Sequence, residues 1–111
     1  MTRCVADKWY EEDGRLCFYL SAFGHANYAE EGKDIVCSAV SALCTSLANT
    51  LLQYGVPKAA IRVEEGNFFV SANLTVNQHK CEGAFDVAVL GLTMISEQYP
   101  NNVFLASGVL Q

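Results

Sequence analysis

The 111-residue chain has no CxxC pair, only two prolines, and seven lysines and arginines against twelve aspartates and glutamates. Each shortage excludes something. Without CxxC there is no dithiol motif, which argues against a thiol-redox protein. A net charge of −5 leaves no basic surface for phosphates, so nucleic acid is not expected as a direct ligand. A basic protein or peptide suits such a surface better, as a bias in encounter rate. No run of about 18 apolar residues occurs, so no membrane span is expected. The opening stretch MTRCVADKWYEEDG holds no apolar signal core, and a cytoplasmic location is the expectation. Repeats, low-complexity tracts and linkers are also missing. One domain, 1–111, fits the length, since a second would need about 100 more residues.

What is present describes a globular chain. Hydrophobic residues make up 51% and charged ones 17%, which is too apolar for disorder. A core can form without staples. The cysteines are Cys4, Cys17, Cys37, Cys44 and Cys81. Their odd number argues against a disulfide framework and for reduced thiols, most of them acting as small buried hydrophobes. The acidic clusters at Glu11–Asp13, Glu30–Glu31 and Glu64–Glu65 read as solvated turns.

Residues 3–10 and 16–23 are apolar runs separated by Glu-Glu-Asp-Gly, a hairpin signal. Residues 24–33, bracketed by Gly24 and Gly32, break every period and form a polar loop held by few contacts. From 34 to 54 the period becomes helical, with Val36, Val40, Leu43, Leu47 and Leu51 on one face. Asp34 is its N-cap, Gly55 its C′ residue, and Pro57 blocks continuation. Residues 59–65 and 68–74 flank Gly66-Asn67 as a second hairpin, with Phe68, Val70, Ala72 and Leu74 alternating. Residues 82–99 read as a helix with Phe85, Val89, Leu92, Ile95 and Tyr99 inward, and Gly91 marks a close helix contact. A last strand spans 103–107. The order β-β-α-β-β-α-β predicts an α+β layer fold, an antiparallel or mixed sheet with two packed helices.

One constellation carries chemistry. His25 lies in the loop, and Cys37 is the third residue of the first helix if Asp34 caps it. Unpaired N–H groups and the helix dipole stabilise a thiolate there. A nucleophile with a base is the minimum for acyl transfer. The charge of Asp34 opposes the thiolate unless His25 or backbone amides engage it. Ser41, one turn on, shares the Cys37 face. Cys44, at i+7, is expected beneath the site. Backbone amides at the helix start are the nearest oxyanion donors. His25, Cys37, His79 and Cys81 would also make four zinc ligands, through a weak HxC motif at 79–81. Without such chemistry the same residues would serve packing and capping only.

The stretch GHANYAEEGKDIVCSAVSAL, Gly24 to Leu43, resembles the signature of the ribosomal-processing cysteine protease family of Firmicutes and related bacteria. Gly91-Leu92 followed by Ile95-Ser96-Glu97-Gln98-Tyr99-Pro100 is similar to the family's second helix and its end. The resemblance implies a cysteine endopeptidase with no cofactor and no metal. Its substrate would be bacterial large-subunit ribosomal protein twenty-seven, from which it removes an N-terminal extension after an aromatic residue. His25 maps onto the family's base and Cys37 onto its nucleophile, with Asp34 and Ser41 in support. The resemblance also implies a homodimer and a loop that rearranges over substrate. Phe23, Tyr28, Phe68 and Phe69 are the candidates for an aromatic-binding pocket. Asn27 departs from the family, where many relatives carry Gly, and so does Phe23, where a small polar residue is common. The alternative is a non-catalytic ribosome-assembly or protein-binding module.

Overall fold

The computed structural model describes residues 1–108. Strand β1 (Thr2–Tyr10) turns back through Glu11–Gly14 into β2 (Leu16–Phe23). After the loop comes helix α1 (Ile35–Gln53), then a short 3-10 turn at Lys58–Ala60. Strands β3 (Ile61–Glu64) and β4 (Asn67–Leu74) precede helix α2 (Gln78–Gln98) and strand β5 (Val103–Ser107). The sheet order is β3-β4-β2-β1-β5. Every pairing is antiparallel except β1 with β5, which is parallel, so the sheet is mixed. The α+β order expected from the pattern is the observed one.

Period-two alternation decides which sheet face is covered. Cys4 and Ala6, Leu16, Phe18, Leu20 and Ala22, and Phe68, Val70, Ala72 and Leu74 all point to the helices. The helices answer with Val36, Val40, Cys44, Leu47 and Leu51 from α1, and Cys81, Phe85, Val89 and Leu92 from α2. The Phe18 and Phe85 rings meet at 4.8 Å in the middle of this layer. Truncating either to alanine should cost about 3–5 kcal/mol. The other sheet face is open and exposes Val5, Trp9, Phe23, Phe69 and Phe104.

Helix α1 is long and apolar enough, by length and composition, to cross a membrane. In this fold its apolar stripe packs on the sheet instead. It ends as expected: Gly55 has φ 97°, its N–H reaches Leu52 O, and Val56 N–H reaches Leu51 O at 3.0 Å. Gly91 is a close contact too, since a methyl group there would stand 2.8 Å from Leu43 Cδ1.

Three boundaries differ from the sequence pattern. The β3–β4 turn is Glu65-Gly66, with Glu64 paired to Asn67, one residue earlier than expected. Residues 58–60 form the 3-10 turn, leaving β3 only four residues. Helix α2 begins at Gln78, four residues before the expected 82. There Cys81, fully buried, is an apolar position four residues before Phe85 and extends the stripe by one turn. No side-chain cap marked the start: Asn77 sits at φ 54° and gives its amide to Tyr54 O at 3.0 Å.

Candidate active site

Asp34 organises the entry to α1. One carboxylate oxygen accepts the Cys37 N–H at 2.8 Å. The other accepts Tyr28 N–H at 2.9 Å and Ala29 N–H at 3.3 Å. Burial by itself would raise the carboxyl pKa. The N–H groups of Cys37, Tyr28, Ala29 and Val36 outweigh that and hold it below the ordinary carboxylate value. Backbone amides therefore engage the charge that opposes a thiolate, and His25 does not. The N–H of Cys37 at the helix start is already bound to Asp34, so it is not free to serve an oxyanion.

A different amide reaches the sulfur. Ala26 N–H points at Cys37 Sγ from 3.4 Å. Ala26 is buried, and its carbonyl is held by the Asn102 side chain at 3.0 Å, from the turn before β5. Asn102 O in turn accepts Thr2 N–H at 2.9 Å. Sequence reasoning missed Ala26 and Asn102. Neither has reactive chemistry of its own, and the contact joins residues 76 apart.

The loop is consequently less free than its composition suggested. Gly24 N–H bonds to Gly66 O at 2.8 Å, and a methyl group at Gly24 would strike Met1 O at 2.8 Å. Asn27 has φ 56°. That is the left-handed region where glycine is at ease and asparagine is among the best replacements, which explains the departure from Gly here. Residues 24–29 are thus fastened to the β3–β4 turn, α1 and the turn before β5. Residues 30–33 are exposed and close on themselves through Lys33 N–H to Glu30 O and a Lys33–Glu30 ion pair at 3.3 Å. Gly32, at φ 85°, faces open space.

A cavity of about 800 Å³ opens between this loop, the first turns of α1 and the β3–β4 turn. His25, Asp34, Cys37 and Ser41 all line it. Cys37 is partly buried and His25 exposed. Among the described residues no hydrogen bond joins the two, and Ser41 bonds to neither. The helix-start hydroxyl that does bond is Ser38, to Asp34 O at 3.1 Å. The His25 ring lies against Gly66. Cys44 lines the same cavity while itself buried, and burial pushes its thiol up to about 12. The charged side chains on the lining are Glu31, Asp34, Glu64 and Glu65, and no lysine or arginine is among them.

Of the four aromatic candidates, only Phe68 lines the cavity, from a largely buried position. Phe23 and Phe69 lie on the open sheet face, the opposite side from Ala22 and Phe68, because neighbouring residues in a strand alternate. Tyr28 packs edge-on to Tyr99 at 5.3 Å. The four proposed zinc ligands do not converge: Cys81 is fully buried and His79 exposed. Among the described residues no group of three or more His, Cys, Asp or Glu could hold a metal ion. All five cysteines are free thiols.

Comparison with known proteins bears on the family and the fold. The family profile described as cysteine protease Prp matches residues 7–104. The ribosomal processing cysteine protease Prp of Staphylococcus aureus strain Mu50 is 26% identical over 83 residues, 74% of this chain and 78% of its own length. A crystal structure of an essential ribosomal processing protease Prp from S. aureus, with a covalently linked product peptide, shares the fold. Its TM-score is 0.77 at 22% identity, over 96% of this chain and 99% of that one. SMU.848 from Streptococcus mutans gives a TM-score of 0.68 at 27% identity, covering 96% and 94%.

Proposed function

The chain belongs to the cysteine protease Prp family, and from that premise we propose that it removes the N-terminal extension of bacterial large-subunit ribosomal protein twenty-seven, cutting after an aromatic residue. The observation that carries this reading is a half-open thiol, Cys37, in one cavity with His25 and facing a buried backbone N–H.

Cys37 attacks the scissile carbonyl carbon as its thiolate, and His25 takes the thiol proton. The tetrahedral oxyanion is borne by the carbon that bonds Sγ, two bonds from the sulfur, and Ala26 N–H, which faces that sulfur, is the donor for it. When the intermediate collapses, His25 returns the proton to the leaving amine. Water then attacks the thioester, with His25 accepting its proton, and frees the Cys37 thiol. Asp34 holds the helix start and the loop at a fixed spacing. The basic body of a ribosomal protein matches the acidic lining. Phe68, Ala22 and Val40 supply apolar surface for the aromatic residue before the cut. On the same reading the enzyme works in the cytoplasm as a homodimer, and the open sheet face is apolar surface that a second copy would cover.

The test is incubation with the host ribosomal protein, followed by mass spectrometry of its N-terminus. A single new N-terminus after an aromatic residue is the expected result. Replacing that aromatic residue with alanine should lower kcat/KM by roughly ten- to a hundredfold, from lost burial. Equal cutting after Ala, Leu and Phe would remove the pocket from the account.

A further inference from the structure

The β3–β4 turn does more than close a hairpin. Gly66, at φ 68°, faces the His25 ring. A methyl group on it would stand 2.9 Å from Nε2, 3.2 Å from Cε1 and 3.6 Å from Cδ2. The same glycine accepts Gly24 N–H through its carbonyl at 2.8 Å. The residue before the imidazole is therefore tied to the turn, and the imidazole itself leans on that turn. Phe23 of β2 pairs with Asn67 of β4, so the tether continues the β2–β4 ladder by one step. The seat belongs to a hairpin turn paired into the sheet although His25 belongs to a loop.

We propose that Gly66 is a positioning residue for the catalytic base: the bare backbone of the turn sets where the His25 imidazole stands across the cavity from Cys37. This rests on the reading of His25 as base. The effect is steric. Any side chain at 66 occupies the place of the ring, and the ring is the free end of a flexible side chain. Moving it is the cheapest accommodation, so a substituted protein folds with its base displaced. A base displaced by a fraction of an ångström to 1 Å loses alignment with both the thiol proton and the leaving nitrogen, which costs up to about a hundredfold.

The test compares Gly66→Ala with Gly14→Ala. Gly14 also sits in a hairpin turn at positive φ, 90°, but a methyl group there meets nothing within 4 Å. Both variants bear backbone strain, and only one touches His25. Gly66→Ala should lower kcat about ten- to a hundredfold with KM within twofold. It should also shift the His25 ring-proton resonances, while Gly14→Ala changes neither. An unchanged or raised kcat with an unmoved His25 signal overturns the proposal. If Gly66→Ala does not fold, the wild-type protein decides alone: nuclear Overhauser contacts between Gly66 Hα and the His25 ring are expected, and their absence overturns the seat. A His25→Ala variant that still cuts at the wild-type rate would sink the base reading instead, and the Overhauser contacts would be unaffected by that failure.

Discussion

The N-terminal turns of α1 and α2 hold the same residue types. Cys37 is the third residue of α1, with His25 in the segment before it. Cys81 is the fourth residue of α2, with His79 two positions earlier. Both thiols feel the positive end of a helix dipole. The first is partly open to a cavity, receives the Ala26 N–H and sits over a helix start capped by a carboxylate. The second is fully buried, and burial raises its pKa. Its histidine is exposed, and the residue before the helix contributes no side-chain cap. Desolvation opposes charge on a buried sulfur whatever the dipole does, so a thiol at a helix start becomes a nucleophile only where the fold leaves it an open side.

Exchanging the two cysteines for alanine one at a time should separate the helix starts most widely. Cys37→Ala is expected to lose about a thousandfold or more of kcat. Cys81→Ala should keep turnover within about twofold and instead lose about 1–2 kcal/mol of stability from the core. Comparable activity loss in both would break the comparison. The histidines give the next largest contrast: His25→Ala should lower kcat/KM about a hundredfold and His79→Ala hardly at all, measured on the same substrate.

Alkylation sharpens the difference without mutation. Iodoacetamide near neutral pH should modify Cys37 at least about ten times faster than Cys81, read by peptide mapping. Cys4 and Cys44, pushed by burial up to about 11 and about 12, should lag further. First labelling of Cys81 in folded protein would reverse the argument.

The smallest effect is in the caps. Asp34→Ala should destabilise by about 1 kcal/mol at neutral pH. The folded carboxyl has a lowered pKa, so its contribution is complete above the unfolded value near 4. It is lost as pH falls through the folded value. Urea melts at neutral pH and near pH 2 should therefore show the gap between wild type and variant narrowing in acid. Asn77→Ala, which removes a neutral amide, should show no such narrowing.

The pattern of the chain alone determined most of the secondary structure, the covered sheet face, the Asp34 cap and the placement of Cys37 and His25 at one end of α1. These are local properties: residues two, three or four apart specify a strand face, a helix face or a cap, whatever else the chain does. The GHA and DIVC segments also carried the family resemblance by their residues. Only the tertiary structure decided which amide faces the sulfur, which aromatic lines the cavity and what the imidazole leans on. The site roles of Ala26, Asn102 and Gly66 show no signal in sequence because each is a contact at a backbone group, made across 11 to 76 residues. Phe68 and Phe69 are neighbours in the chain, yet the pleat sends one toward the cavity and the other to the open face. Cys81 shows the converse: its HxC spacing offered a zinc reading beside the packing one, and burial makes it core. Spacing along the chain orders residues in one dimension, whereas desolvation and contact depend on which strands the sheet brings side by side.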